Sequence, residues 1–81
     1  MPQPIVLITG SSGGLGRALC AAFAARGAAV IAHVRRSADA PAGFPVVAAD
    51  LGHADGVDDV VAQLHALGRT PDGVVHNAAV G

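Results

Sequence analysis

Near the start of the chain the eight residues 9–16, "TGSSGGLG", hold four glycines between an apolar run at 4–8 and the helix-like stretch "RALCAAFAARG". Glycine inside regular structure costs roughly 0.5–1 kcal/mol relative to alanine, so such a cluster calls for a place where backbone must come close to something else. A loop joining a strand end to a helix start offers unpaired N–H groups and the positive end of the helix dipole, which suit a pyrophosphate. Gly10, Gly13, Gly14 and Gly16 let the backbone approach, Gly16 also lets the helix pack on its strand, and Ser11 and Ser12 can add hydroxyl donors. A glycine turn serves tight strand-to-helix packing without a ligand as well, so the rest of the chain has to decide between the two.

The remaining pattern repeats the strand and helix alternation. Residues 5–9 read as a short apolar strand, and about 15–26 as a helix with Leu15, Leu19, Ala22 and Phe23 on one face and Gly27 at its stop. Residues 28–34 form a second apolar, β-branched run interrupted by His33. Pro41, Gly43 and Pro45 leave residues 35–45 a loop with at most one helical turn, and 46–49 is a third short strand. Val57, Val60, Val61, Leu64 and Leu67 recur at helical spacing, predicting a helix over about 55–67 with Asp55 as N-cap and Gly68 as stop. "TPDG" at 70–73 then turns the chain into a fourth apolar segment at 74–80. Strands alternating with helices imply an α/β fold with a parallel sheet, and right-handed crossovers favour the strand order 3-2-1-4. That order reverses beside the first strand, where open α/β sheets hold ligands at the carboxyl ends of their strands.

Composition narrows the function classes. The only basic side chains besides histidine are Arg17, Arg26, Arg35, Arg36 and Arg69, and the net charge is −1, so no broad basic surface exists for nucleic acid. No run approaches the ~18 apolar residues of a membrane span, and the start lacks the pattern of a signal peptide. The single Cys20 sits in an apolar helical pattern as a small core residue, which fits a reducing, cytoplasmic setting. His33, His53, His65 and His76 show no metal-ligand spacing, and no metal site is expected.

The loop is not a P-loop, because no lysine follows the glycines, and it departs from G-x-G-x-x-G at Leu19. Its spacing resembles the short-chain dehydrogenase/reductase family, whose cofactor loop reads T-G-x-x-x-G-x-G and is met by Thr9, Gly10, Gly14 and Gly16. "ADL" after the third strand supplies Asp50, which the resemblance assigns to the adenine amino group, with Leu51 beside the ring. "HNAAVG" resembles the family's N-N-A-G segment through Asn77 and Ala78, with His76 in place of the first Asn and Ala79 in place of Gly.

The resemblance implies a partial Rossmann fold that binds a nicotinamide dinucleotide through Thr9, Gly10, Ser11, Ser12, Gly14, Leu15, Gly16, Asp50, Leu51, Asn77 and Ala78. At the end of the second strand, "HVRRS" offers Arg35 and Arg36 and no carboxylate, which points to the 2′-phosphate of NADP(H) rather than NAD. The family's catalytic Ser, Tyr and Lys follow the N-A-G segment, and this chain encodes neither Tyr nor Lys. The expectation is therefore that residues 1–81 are a truncated NADP(H)-binding half, with the catalytic half absent and no hydride transfer on its own. Two other readings stay open: an oxidoreductase completed by another chain or a homo-oligomeric site, and a structural or interaction module with a relic loop. In either case the fourth strand is the expected pairing edge, for a second copy or for the missing half.

Overall fold

The computed structural model describes residues 3–77. Apolar runs become short strands, β1 (Ile5–Ile8), β2 (Ala29–Val34), β3 (Val46–Ala48) and β4 (Gly73–Val75), and the periodic segments become helices α1 (Gly14–Ala25) and α2 (Gly56–Leu67). A single 3-10 turn, Ser37–Asp39, interrupts the loop after β2. The sheet is parallel throughout with order β3-β2-β1-β4, as the crossover argument predicts.

The period-2 alternation of the strands divides the core into two layers. Val6, Ile8, Val30 and Ala32 meet Cys20 of α1, with Leu19, Phe23 and Val75 closing around them. Leu7, Ile31 and Val47 meet Val60 and Leu64 of α2 on the opposite face. Cys20 is fully buried, in keeping with a packing role. Burying a Val, Leu or Ile side chain contributes about 1.5–3 kcal/mol, so these layers hold the strand ends in place beneath the glycine loop.

Three expectations need correction at the level of side chains. Asp55 occupies the N-cap position of α2 but has helical dihedrals and makes no side-chain capping bond. The fourth segment is a strand only at Gly73–Val75, and residues 78–80 of the expected strand lie outside the described residues. Of the five apolar residues on α2, only Val60 and Leu64 are buried, while Val57, Val61 and Leu67 stay exposed, as does Val74 on β4. The cause is the docking of α2 toward the β3 side of a narrow sheet. Gln63 accepts from Ala48 N–H at 2.9 Å and donates to Ala48 C=O at 2.8 Å, occupying the outer edge of β3 as another strand would. Among the described residues β4 has no strand on its outer edge.

Loop closure follows the same local logic. Gly68 ends α2 in the left-handed conformation, its N–H returning to His65 C=O. Asp72 enters β4 by pairing with Ile5 twice, through its backbone N–H at 2.7 Å and its carboxylate at 2.7 Å.

Candidate functional site

The carboxyl ends of β1 and β3, the start of α1 and the end of β4 surround a cleft of about 680 Å³, within the few-hundred to thousand Å³ range of small-molecule sites. Ser12, Gly13, Gly14, Leu15 and Gly16 form one wall. Among the described residues, the backbone N–H groups of these five have no acceptor in the protein. They are the orphan donors of a helix start, and the α1 dipole adds to their positive potential. No acidic residue stands in the first turn of α1 to neutralise it.

Gly10 and Gly16 make this wall through backbone shape. Gly10 has φ of 67°, a conformation that turns the chain sharply off β1. A Cβ on Gly16 would overlap Gly10 C=O and lie 2.7 Å from Ser11 Cα, so α1 can start this close to the loop only without a side chain there. Gly13 and Gly14 have open space where a Cβ would stand.

The two serines divide their labour differently from the sequence expectation. Ser12 is exposed and lines the cleft. Ser11 is fully buried: its hydroxyl donates to Ile8 C=O at 2.6 Å, Cys20 Sγ lies 3.5 Å from it, and its N–H donates to His33 C=O at 2.8 Å. The expected hydroxyl donor at Ser11 is thus consumed in shaping the loop, because the residue after Gly10 points back into the sheet.

Thr9 and Asn77 brace the loop from the β4 side. Asn77 N–H donates to Thr9 Oγ1 at 2.9 Å, and Asn77 Nδ2 donates to Gly10 C=O at 3.1 Å. Asn77 also lines the cleft, whereas Ala78 lies outside the described residues. The exposed His76, which stands where the resemblance expects Asn, places Nδ1 3.3 Å from Thr9 Oγ1.

On the far wall, Arg35 and Asp50 face each other, with Nη2 of Arg35 3.5 Å from Oδ2 of Asp50. Asp50 also accepts from Gly52 N–H at 2.9 Å and lies 3.6 Å from His53 Nε2. Leu15 and the half-buried Leu51 supply apolar surface to the cleft. Arg36 does not reach it; its guanidinium turns to Asp39 Oδ2 at 3.3 Å.

His33 is the residue whose part the sequence reading missed. Only 3% exposed, it accepts from Gly10 N–H at Nδ1 (3.2 Å) and meets Ala49 C=O at Nε2 (2.8 Å). A carbonyl can only accept and an amide N–H only donate, so the ring is satisfied as the neutral tautomer with its proton on Nε2. It ties the loops after β1 and β3 to the carboxyl end of β2. The signal for it was a polar side chain inside an otherwise apolar strand, which must find partners when buried.

Gly56 was missed as well. A Cβ there would overlap Asp50 C=O and lie 2.9 Å from the Asp50 carbonyl carbon, so α2 abuts the turn carrying Asp50 as closely as α1 abuts Gly10.

The arrangement can hold an elongated anionic ligand, with phosphate oxygens against the N–H groups of α1 and a polar ring or ribose between Arg35, Asp50 and Leu51. Among the described residues no group of His, Cys, Asp or Glu is placed to hold a metal ion, and no helix is long and apolar enough to cross a membrane.

Known proteins share this geometry. The chain is similar to L-sorbose reductase from Gluconobacter frateurii, a structure complexed with NADPH and L-sorbose, at 30% identity and a TM-score of 0.81 over 100% of this chain and 35% of that one. It is similar to the TT0495 protein from Thermus thermophilus at 36% identity and a TM-score of 0.78, over 98% of this chain and 35% of that one. A short chain dehydrogenase from Leptospira borgpetersenii with bound NAD+ shares the fold at 23% identity and a TM-score of 0.78, over 99% of this chain and 33% of that one. No curated protein matches by sequence. The chain spans about a third of the length of these solved structures. Residues 4–81 match the family model described as short chain dehydrogenase, and with the glycine loop and the parallel sheet in register behind it, the chain belongs to the short-chain dehydrogenase family.

Proposed function

We propose that residues 1–81 are the NADP(H)-binding portion of an oxidoreductase. The observation that carries this reading is the row of unpaired N–H groups at Ser12, Gly13, Gly14, Leu15 and Gly16, open to the cleft at the start of α1. Pyrophosphate oxygens accept from these groups, Asp50 accepts from the adenine amino group, and Leu15 and Leu51 flank the ring. Thr9, Gly10 and Ser11 act through the backbone they position, and Asn77 with Ala78 borders the ribose nearer the nicotinamide.

Arg35 sets the preference for a 2′-phosphate. Its side chain is 77% exposed and its one carboxylate partner lies 3.5 Å away, so it can swing to a phosphate at small cost. A charge-assisted, bidentate pair with phosphate is the stronger contact. Arg36 supports that corner from the 3-10 turn rather than from the cleft.

The nicotinamide, when bound, supplies or accepts the hydride. The chain has neither Tyr nor Lys, the pair to which the family resemblance assigns the accompanying proton, so this reading gives that step to groups other than residues 1–81. The open edge of β4 and the exposed Val57, Val61 and Val74 are where further chain, the protein's own or a second copy's, would pack.

Calorimetric titration with NADPH and NADH, on the native chain and on Arg35→Ala, tests this. The expected outcome is saturable binding of both, tighter for NADPH, with the NADPH advantage falling about tenfold in the variant. A folded protein that binds neither dinucleotide would refute the reading.

A further inference from the structure

Of the four histidines His33 alone is buried, and it lines the cleft. Its ring holds two loops at once, Nδ1 accepting from Gly10 N–H at 3.2 Å and Nε2 donating to Ala49 C=O at 2.8 Å. Gly10 is held at its other end by Asn77, whose Nδ2 lies 3.1 Å from Gly10 C=O. That carbonyl is the atom against which Gly16 seats the start of α1. The place of the N–H row therefore depends on Gly10, and the place of Asp50 on Ala49 before it.

This arrangement accepts only the neutral ring. In an imidazolium both nitrogens donate, so protonation sets Nδ1–H against Gly10 N–H and takes away its acceptor. No acid is at hand to offset the charge. The glycine loop, residues 10–16, has no titratable side chain, and Arg17 beyond it donates to Ser12 and Asp39 C=O. Across the cleft, Asp50 is engaged by Gly52 N–H, Arg35 and His53. On α2, which packs on the face of the sheet that carries Ile31, Asp58, Asp59 and His65 are exposed, as is Asp55 before it. His76, at the end of β4, turns to Thr9. Among the described residues no carboxylate lies within ion-pair distance of the His33 ring.

We propose that His33 is a positioning residue that makes dinucleotide binding sensitive to protons: the neutral ring holds Gly10 and Ala49 in place on either side of the cleft, and its protonation releases the ligand. This rests on the reading of the cleft as a dinucleotide site. Histidine changes charge between pH 5 and 8, so binding is present above that range, is lost as pH falls through it, and release takes up a proton.

The test titrates the native chain and His33→Gln with NAD+ at pH 8 and pH 5.5. NAD+ is the probe because its pyrophosphate has no group like a phosphate monoester, which titrates near pH 6. Native affinity should fall about tenfold between the two conditions. His33→Gln offers an acceptor and a donor that do not titrate, and should bind within about threefold of native at pH 8 and lose less than about twofold at pH 5.5. The exposed His53 and His76 are common to both proteins, so the difference between them reads His33. In the native chain alone, the 15N resonances of the His33 ring and the Gly10 amide should shift in one step with the loss of affinity. A ring that stays neutral down to acid unfolding would overturn the proposal, as would an affinity that rises on acidification, the mark of a ring serving as a cation. Binding with the same pH response in both proteins overturns the role of His33 alone; no NAD+ binding at either pH overturns the reading of the cleft and the release with it.

Discussion

The turn from β1 to α1 and the turn from β3 to α2 leave the same end of the sheet with the same spacing. Gly16 lies six residues after Gly10 and Gly56 six after Asp50, and in both pairs a Cβ on the later residue would overlap the carbonyl of the earlier one. Their electrostatics are opposite. In the first turn, among the described residues, five consecutive N–H groups are left without acceptors and the first turn of α1 holds no acid. In the second, Gly52 N–H goes to Asp50 Oδ1, His53 N–H to Asp50 C=O and Gly56 N–H to His53 C=O, while Asp58 and Asp59 occupy the first turn of α2. One backbone design thus yields a run of five unpaired N–H groups and, beside it, a turn partly bonded to itself that carries carboxylates at its start and in the helix it opens. A dinucleotide needs both, phosphate at the first and an amine-bearing ring at the second.

The largest expected effect separates the packing these turns share from the function they do not. Gly16→Ala and Gly56→Ala each drive a methyl group into backbone, and overpacking of this kind costs about 1–3 kcal/mol. Urea denaturation should show comparable losses for the two variants. Titration with NADPH at a temperature where both remain folded should separate them: Gly16→Ala distorts the N–H row and loses binding, whereas Gly56→Ala keeps near-native affinity. Equal loss of affinity in both would mean that the two turns are not functionally distinct.

Next in size is the link between them. His33→Leu leaves Gly10 N–H and Ala49 C=O without partners, and a buried unsatisfied group costs about 1–3 kcal/mol. His33→Gln offers an acceptor and a donor on one side chain and should recover at least half of that loss. Thermal melts of the two variants decide it; indistinguishable melting temperatures would show that the ring matters by volume and not by its two hydrogen bonds.

The strand order and both helices were legible in the sequence from local periodicity plus the handedness of crossovers, whereas Asp50 and Arg35 were marked by the family resemblance and by their places after strands, and both line the cleft with the glycine loop. What stayed hidden depends on contacts between distant segments. Ser11 looked like a ligand donor until the fold turned it toward Ile8, and nothing in the helical periodicity marks Gln63 for the edge of β3. Arg17 reaches a carbonyl 22 residues away, and His33 reaches partners 23 and 16 residues away. Asp55 illustrates the converse error: the residue type suits an N-cap, but the preceding loop holds it in helical dihedrals and its side chain caps nothing.

That contrast gives the smallest and most discriminating expectation. Gly13, the N-cap of α1, has extended dihedrals and open space around a would-be Cβ, so Gly13→Asp places a carboxylate where capping geometry is already present. Replacing glycine by aspartate at an N-cap stabilises by only a few tenths of a kcal/mol, and the charge adds up to ~1 kcal/mol through the dipole. The same carboxylate stands in front of the N–H row and repels a pyrophosphate. Stability should therefore rise slightly while NADPH affinity falls more than about tenfold, an opposition of sign that loss of packing cannot imitate. At the second turn Asp55→Ala removes a residue in the same formal position but no capping bond, and its melt should stay within ~0.5 kcal/mol of native with NADPH binding unchanged. Should Gly13→Asp bind NADPH normally, the N–H row of α1 is not where the phosphates sit, and the difference between the two turns is one of packing alone.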